Sequence, residues 1–306
     1  MQELMVYAGQ HSCYERSNEV LGQFLSVKVS AAQVYRVTDL YGAQIGKEMD
    51  FTECSLTPVL KNDTLYVEAD GSMILTREDG WKEVKAGRIF KASDSIRLDG
   101  KPCYISHSQY VAHLGDHKTF CRQMEDLIES YDVKGSQLVF ISDGATWIRN
   151  WIEDAFPNAV SILDYYHASE HLCDFVEQFF TDKQAGRKWA KAQKELLIAG
   201  KVSKIISNIK RKAGLNNKAA NNLIDYYNSN ANRMDYKRYK QIGCGITGSG
   251  AIESTHRTLI QQRMKLSGQR WKKRGAQNML NLRVTAMNKQ WNKIVTLAKT
   301  NFKEAA

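Results

Sequence analysis

Three acidic residues stand where a sheet protein could carry out chemistry on phosphate esters. Asp70 lies within the apolar run LYVEADGSMIL, Asp143 ends QLVFISD, and Glu253 opens the helical pattern SGAIESTHRTLIQQRM. Cutting or rejoining a phosphodiester requires an activated oxygen nucleophile and a stabilised leaving oxyanion. Two divalent ions about 3.5–4 Å apart do both. Mg²⁺ is a hard ion held by carboxylates, waters and phosphate oxygens, and three carboxylates gathered without such an ion repel one another. Each aspartate also has a plainer reading. Asp70-Gly71 is a common turn pair, and Asp143 suits equally the N-cap of the following ATWIRNWI.

The surrounding elements decide whether the three acids meet. TLYVEADGSMIL, WKEVKAGRIF and CYISHSQYVAH are rich in Val, Ile and Tyr and are separated by turn residues such as Glu78-Asp79-Gly80. They read as three strands joined by hairpins. A helix, DHKTFCRQMEDLIESYDV, leads to the strand QLVFISDG. A second helix, ATWIRNWIEDAF, is ended by Pro157, and the strand AVSILDYYH follows. A meander followed by β-α-β units predicts the α/β class, with a mixed sheet and helices on its faces.

Ahead of the strands, YERSNEVLGQFL forms an amphipathic pattern, and Ser30 is placed to cap AAQVYRVTDLYG, ended by Gly42. Such a pair fits a helix-turn-helix and fits a plain helical hairpin as well. Strand signals vanish from about 168 to 240, where the chain is helical and basic, as in KWAKAQKELLIAGKVSKIISNIKRKAG. Between 257 and 303 there are twelve Lys or Arg and no acid. The predicted organisation is therefore an N-terminal helical segment (1–50), a first part of the core (60–167), an all-helical insertion (168–242), and a glutamate helix with a basic helical tail (243–306).

The balance of 43 Lys+Arg against 33 Asp+Glu, net +10, favours a polyanionic partner such as nucleic acid. Cys13, Cys54, Cys103, Cys121, Cys173 and Cys244 form no C-x-x-C pair, so free thiols in a reducing cytoplasm are expected rather than a zinc ribbon or disulfides. No run approaches the length of a membrane span, and MQELMVYAGQHSC lacks a signal-peptide core.

One stretch invites another function. GCGITGSGAIESTH carries Gly243, Gly245 and Gly248 at the G-x-G-x-x-G spacing of a dinucleotide loop. A true fingerprint follows a strand and precedes an acid about 20 residues on. Here polar DYKRYKQI precedes it and basic helix follows, so no nucleotide cofactor is expected. Instead Gly248 and Gly250 are expected to permit a close backbone approach, with Ser249 or a neighbour capping the helix that carries Glu253.

VEADGSMI, WKEVKAGRIF, ISDGATWI, ILDYYHASEHL and GSGAIESTHRTLIQQRMKLSGQRWKKRGAQNMLNLR together resemble bacterial insertion-sequence transposases with an Asp-Asp-Glu centre, in the branch allied to the Mutator-like group. The likeness runs from about residue 14 to about 292. It implies a ribonuclease H-like mixed sheet, with an all-α insertion before the glutamate helix. It implies Asp70, Asp143 and Glu253 as catalytic metal ligands, for two Mg²⁺ that Mn²⁺ can replace. Asp164 and His167 of LDYYH match the family's D-x-x-H motif and take a supporting role. His256, Arg257, Arg263, Lys265, Arg270, Trp271, Lys272, Lys273 and Arg274 occupy positions that lie along DNA in the family. Of these, Arg257 and Arg263 are expected on phosphates and Trp271 in packing. The resemblance further implies strand cleavage and transfer at a mobile element's ends, a homodimer on end and target DNA, and a bacterial cytoplasmic, nucleoid-associated protein. The competing expectation is an inactive or repurposed DNA-binding protein of the same shape, since only about 50 residues precede the strands where the family has a longer end-recognition region.

Overall fold

A computed structural model describes residues 1–47, 59–60, 62–96, 104–131, 136–214 and 216–305. Cys54 and Cys103 lie outside them. So do residues 48–50 of the expected N-terminal segment.

The strands are β1 (Thr64–Thr76), β2 (Gly80–Lys91), the two-residue β3 (Ser95–Ile96) and β4 (Tyr104–Ile105), β5 (Gln109–Leu114), β6 (Gln137–Ser142) and β7 (Val160–Leu163). Five of them form one sheet in the order β5-β2-β1-β6-β7. β1 is antiparallel to β2 and β2 to β5, whereas β6 runs parallel to β1 and β7. The mixed α/β expectation therefore holds. One strand differs: CYISHSQYVAH is broken at Ser106–Ser108, where Ser106 N donates to Asp94 O and leaves β4 to pair with β3.

Period-two alternation sorts β1 between two cores. Leu65, Val67 and Ala69 pack with Phe120, Met124, Trp151 and Ile152 of α4 (His117–Glu129) and α5 (Thr146–Ala155). Tyr66 faces the other way, joining Val139, Ile141 and Ile162. That face is covered by α6 (Tyr165–Phe179), α7 (Lys183–Ile198), α8 (Val202–Ala213), α9 (Lys218–Asn230) and the short α10 (Tyr236–Tyr239). The stretch expected to be an all-helical insertion is helical. Its Leu172, Ile205, Tyr227 and Tyr236 extend the sheet's own core.

The chain returns through α11 (Gly250–Thr255), a π-helical stretch (His256–Gln261) and α12 (Gln262–Met264). It ends in α13 (Lys273–Met287) and α14 (Trp291–Ala305). Ile252, Leu259, Ile260, Met264 and Trp271 cover Ile74, Val84 and Ala86 at the far end of β1 and β2.

The N-terminal helices α1 (Gln2–His11), α2 (Tyr14–Leu25) and α3 (Ala31–Lys47) belong to this same body. Val6, Tyr41 and Ile45 pack with Leu282 and Ile294. The last carbonyls of α1 are bound by buried arginines, Gly9 O by Arg263 Nε at 2.8 Å and Gln10 O by Arg283 Nη1 at 2.6 Å. Ser30 caps α3 as expected, its Oγ accepting from Gln33 N at 3.1 Å. Gly42 does not end the helix. It lies inside α3, where a Cβ would collide with the Asn278 carbonyl, so its role is helix–helix approach. The pair expected as a helix-turn-helix thus has its second helix held against α13 by Tyr41 and Ile45, which pack with Leu282, and against α1 by Val34 and Thr38, which lie at Gly9. No helix among the described residues is long and apolar enough to cross a membrane.

Candidate active site

In the parallel pairing of β1 and β6, Glu68 lies opposite Ile141. Two residues further along, the same register brings Asp70 level with Asp143, just beyond the carboxyl end of β6. Asp143 Oδ1 accepts from Ala145 N at 2.9 Å, closing a short turn rather than capping α5, whose N-cap position is Ala145. Gly144 makes the turn at φ +92°, and a Cβ there would press on Leu163 Cδ1 at 2.9 Å. Burial pushes the Asp143 carboxyl above the usual carboxylate range; the Ala145 N–H opposes this, and the negative charge of Asp70 adds to it. The two aspartates therefore repel across one sheet edge.

Glu253 does not complete a three-residue metal-holding group with that pair. It is exposed on α11, one residue after the buried Ile252. What holds α11 is Glu68, on the same face of β1 as Asp70. Glu68 is fully buried, and its Oε2 accepts from Ile252 N at 2.6 Å while Oε1 has no partner. Burial raises its carboxyl to about 8 against the pull of Arg88, with Asp164 and Glu253 adding negative charge nearby. Arg88 faces Glu68 in the β1–β2 register and donates from Nη1 to Ala251 O at 2.9 Å, gripping the same helix start. Neither Glu68 nor Arg88 is among the site residues expected from sequence. The available signal was an acid inside a run whose neighbours Val67 and Ala69 are buried.

Ser249 occupies the N-cap position of α11, but its hydroxyl donates to Asp164 Oδ2 and makes no cap bond. The expected cap is thus replaced by Glu68 from the sheet. Gly248 does permit a close approach, since a Cβ there would meet the Tyr166 ring at 2.5 Å. Gly250 does not; its Cβ would enter open space. Gly243 and Gly245 have positive φ in the loop after α10, with no strand before them. Gly243 lies against Thr64 and Tyr66, and Tyr66 Oη donates to Ile242 O at 2.8 Å. Gly243 thus seats the returning chain on the start of β1, while Gly245 lies against the Lys240 carbonyl.

Asp164 is fully buried and caps α6, accepting from Tyr166 N at 2.7 Å. His167 is half-buried, its Nε2 4.0 Å from Asp164 Oδ2 and Nδ1 3.6 Å from Glu170 Oε2. His256 approaches the first aspartate directly, with Nε2 3.0 Å from Asp70 Oδ2 at an angle outside hydrogen-bond geometry. The π stretch begins at His256. The carbonyls of Thr258 and Leu259 inside it accept from the Arg283 guanidinium, which replaces part of the lost helical bonding.

The expected DNA-facing row divides by burial. Arg257, Lys265, Arg270, Lys272, Lys273 and Arg274 are exposed. Lys273 is engaged with Asp79 at 2.8 Å, Arg274 with Asp39 at 3.0 Å, and Lys265 with Ser72 at 2.7 Å. His256, Arg263 and Trp271 are buried, so the expectation of Arg263 lying along a phosphate backbone is corrected. Its guanidinium sits between the Tyr14 and Trp271 rings. Trp271 packs, as expected, and donates from Nε1 to Met264 O at 3.0 Å.

Among the described residues no three His, Cys, Asp or Glu side chains gather into a metal-holding group. Asp70 and Asp143 fit a divalent cation, because they offer hard oxygen donors whose repulsion a cation relieves. Glu253, as it stands, does not join them. A family model described as "Uncharacterised protein family (UPF0236)" matches residues 3–300. None of the curated proteins compared with the chain matches it.

Proposed function

The chain belongs to the UPF0236 family, and we propose that it is a DNA transposase that cuts and joins strands at the ends of a mobile element. The observation that carries this reading is the β1–β6 register, which brings Asp70 level with the repelling carboxyl of Asp143. The sheet order agrees with a ribonuclease H-like fold, with the first strand central between its antiparallel and parallel neighbours. The helical segment α6–α10 lies between the second aspartate and Glu253, as the Asp-Asp-Glu resemblance requires.

Bound between Asp70 and Asp143, Mg²⁺ would supply Lewis-acid stabilisation to phosphate oxygens and lower the pKa of a bound water. The protein's own residues prepare that edge. The Gly144 turn holds Asp143 beyond β6, His256 stands 3.0 Å from Asp70, and Glu68 with Arg88 fixes the start of the helix carrying Glu253. Element ends and target DNA are the proposed partners, with a dimer holding two ends and Mn²⁺ as a substitute ion.

That Glu253 joins no three-residue metal-holding group among the described residues favours a second reading, a DNA-binding protein of the same shape without cleavage. Strand cleavage and joining on end-containing DNA with Mg²⁺ or Mn²⁺ separates the two. The transposase reading expects activity in the wild type and its loss in Asp70→Ala, Asp143→Ala and Glu253→Ala. Cutting undiminished in those variants would refute it, and salt-sensitive binding without any cutting would favour the second reading.

A further inference from the structure

Away from the paired aspartates, α2, the turn after β1, the 265–272 loop and the first turn of α13 enclose a cavity of about 660 Å³. That volume falls within the roughly 300–1,000 Å³ of small-ligand sites. Its lining includes none of Asp70, Asp143 and Glu253.

Arg263 stands in the wall of this cavity with no accessible surface, so it adds charge beneath the site while the exposed cations of the rim would meet a ligand. Its guanidinium carbon is 4.8 Å from the Tyr14 ring centre and 5.0 Å from that of Trp271. Nε donates to Gly9 O at 2.8 Å, but Nη1 and Nη2 have no hydrogen-bond partner. No carboxylate among the described residues pairs with it. Burial lowers its pKa from the ordinary arginine value, with Tyr14, Cys13 and Glu15 pulling the other way. Removing a charge from water costs several kcal/mol unless an opposite charge accompanies it.

The rim adds positive charge. Arg77, Arg270 and Lys272 are exposed, line the same cavity and pair with no acid among the described residues. Only Glu15 opposes them in the wall, and Tyr35 adds a further aromatic face. Four cations against one acid favour an anion. Guanidinium forks match tetrahedral oxyanions, and aromatic walls accept a nucleobase by stacking.

We propose that this cavity is a phosphoryl-binding site, taking the phosphate of a nucleotide unit carried on a DNA strand or free in solution. The site does not depend on the transposase reading, because a chain unable to cleave DNA would retain it. For residues expected from sequence to lie along a duplex, the assignment becomes a discrete site shared with Arg77 and Tyr35.

Calorimetric titration of the full chain tests the proposal with inorganic phosphate, thymidine 5′-monophosphate, and a short oligothymidylate ending in a 5′-phosphate or a 5′-hydroxyl. The reference variant combines Arg77→Ala and Arg270→Ala; both side chains are exposed and unpaired, so its melting transition should match the wild type. Binding should weaken at least about tenfold in that variant, since the lost guanidinium groups remove charge-assisted hydrogen bonds to the phosphate. Glu15→Gln should tighten it. A loss confined to the 5′-phosphorylated strand identifies a strand end, an equal loss for both strands an internal phosphodiester, and a loss confined to the monophosphate a free nucleotide. Absence of binding for every probe, or affinity unchanged in the double variant, overturns the proposal.

Discussion

Glu68 accepts the Ile252 N–H at 2.6 Å from a fully buried position, so one side chain on β1 supplies the cap that Ser249 does not. Glu68→Ala leaves a buried N–H without a partner and should destabilise the fold by about 1–3 kcal/mol. Glu68→Gln keeps an acceptor oxygen and should cost less; urea midpoints of both variants at neutral pH check the order. His113 offers a pH test at the same scale. Burial lowers its imidazole below the usual 6.5 against the pull of Asp116. Below 6.5 the unfolded chain therefore binds more protons at this position than the folded one. The contribution of His113 is complete above that value and declines as pH falls through its lowered folded pKa. Urea midpoints from pH about 7.5 to 5 should fall less steeply in His113→Asn than in the wild type.

The GSG segment before α11 gives a test of how an element is seated. Gly248 touches the Tyr166 ring, so Gly248→Ala forces the ring or the backbone to move, with an expected loss of about 1–3 kcal/mol. Gly250 heads α11 with free space at its Cβ and no positive φ. Gly250→Ala should be neutral or should stabilise by up to about 1 kcal/mol, through the reduced freedom of the unfolded chain. Thermal melts of the two variants should therefore move apart. Equal losses would show that the Tyr166 approach does not set the path of the chain. The spacing that suggested a cofactor loop serves here to bring the chain down onto α6 and the start of β1.

For the molecule as a whole, the charge of +10 is less available than its count implies. Arg263 and Arg283 are buried on α1 carbonyls, and Lys273 and Arg274 are held by acids. Arg257 is exposed and pairs with no acid among the described residues. If DNA lies along this face, Arg257→Ala should weaken binding across sequences and reduce the slope of log affinity against log salt by about 1, while Arg274→Ala should change it much less. Fluorescence anisotropy over a salt series reads both slopes. A single slope shared by wild type and Arg257→Ala would remove Arg257 from the interface.

Local pattern was enough to read the strands apart from the break at Ser106–Ser108, most helices, the break at Pro157 and the helical character of 168–240, because alternation and helical periodicity are written in neighbouring residues. The neighbouring of Asp70 and Asp143 was also legible, because the strand order that levels them follows from the order of the elements. Gly42 as a helix contact, Glu68 as the cap of α11 and Arg263 as a buried cation were not. Each depends on a partner far along the chain: Asn278, Ile252 and Gly9. Sequence by itself determined which residues are able to form sheet, helix and carboxylate edge. The tertiary structure decided which of those groups face water and which are turned inward, because burial and pairing follow from distances that chain spacing does not encode.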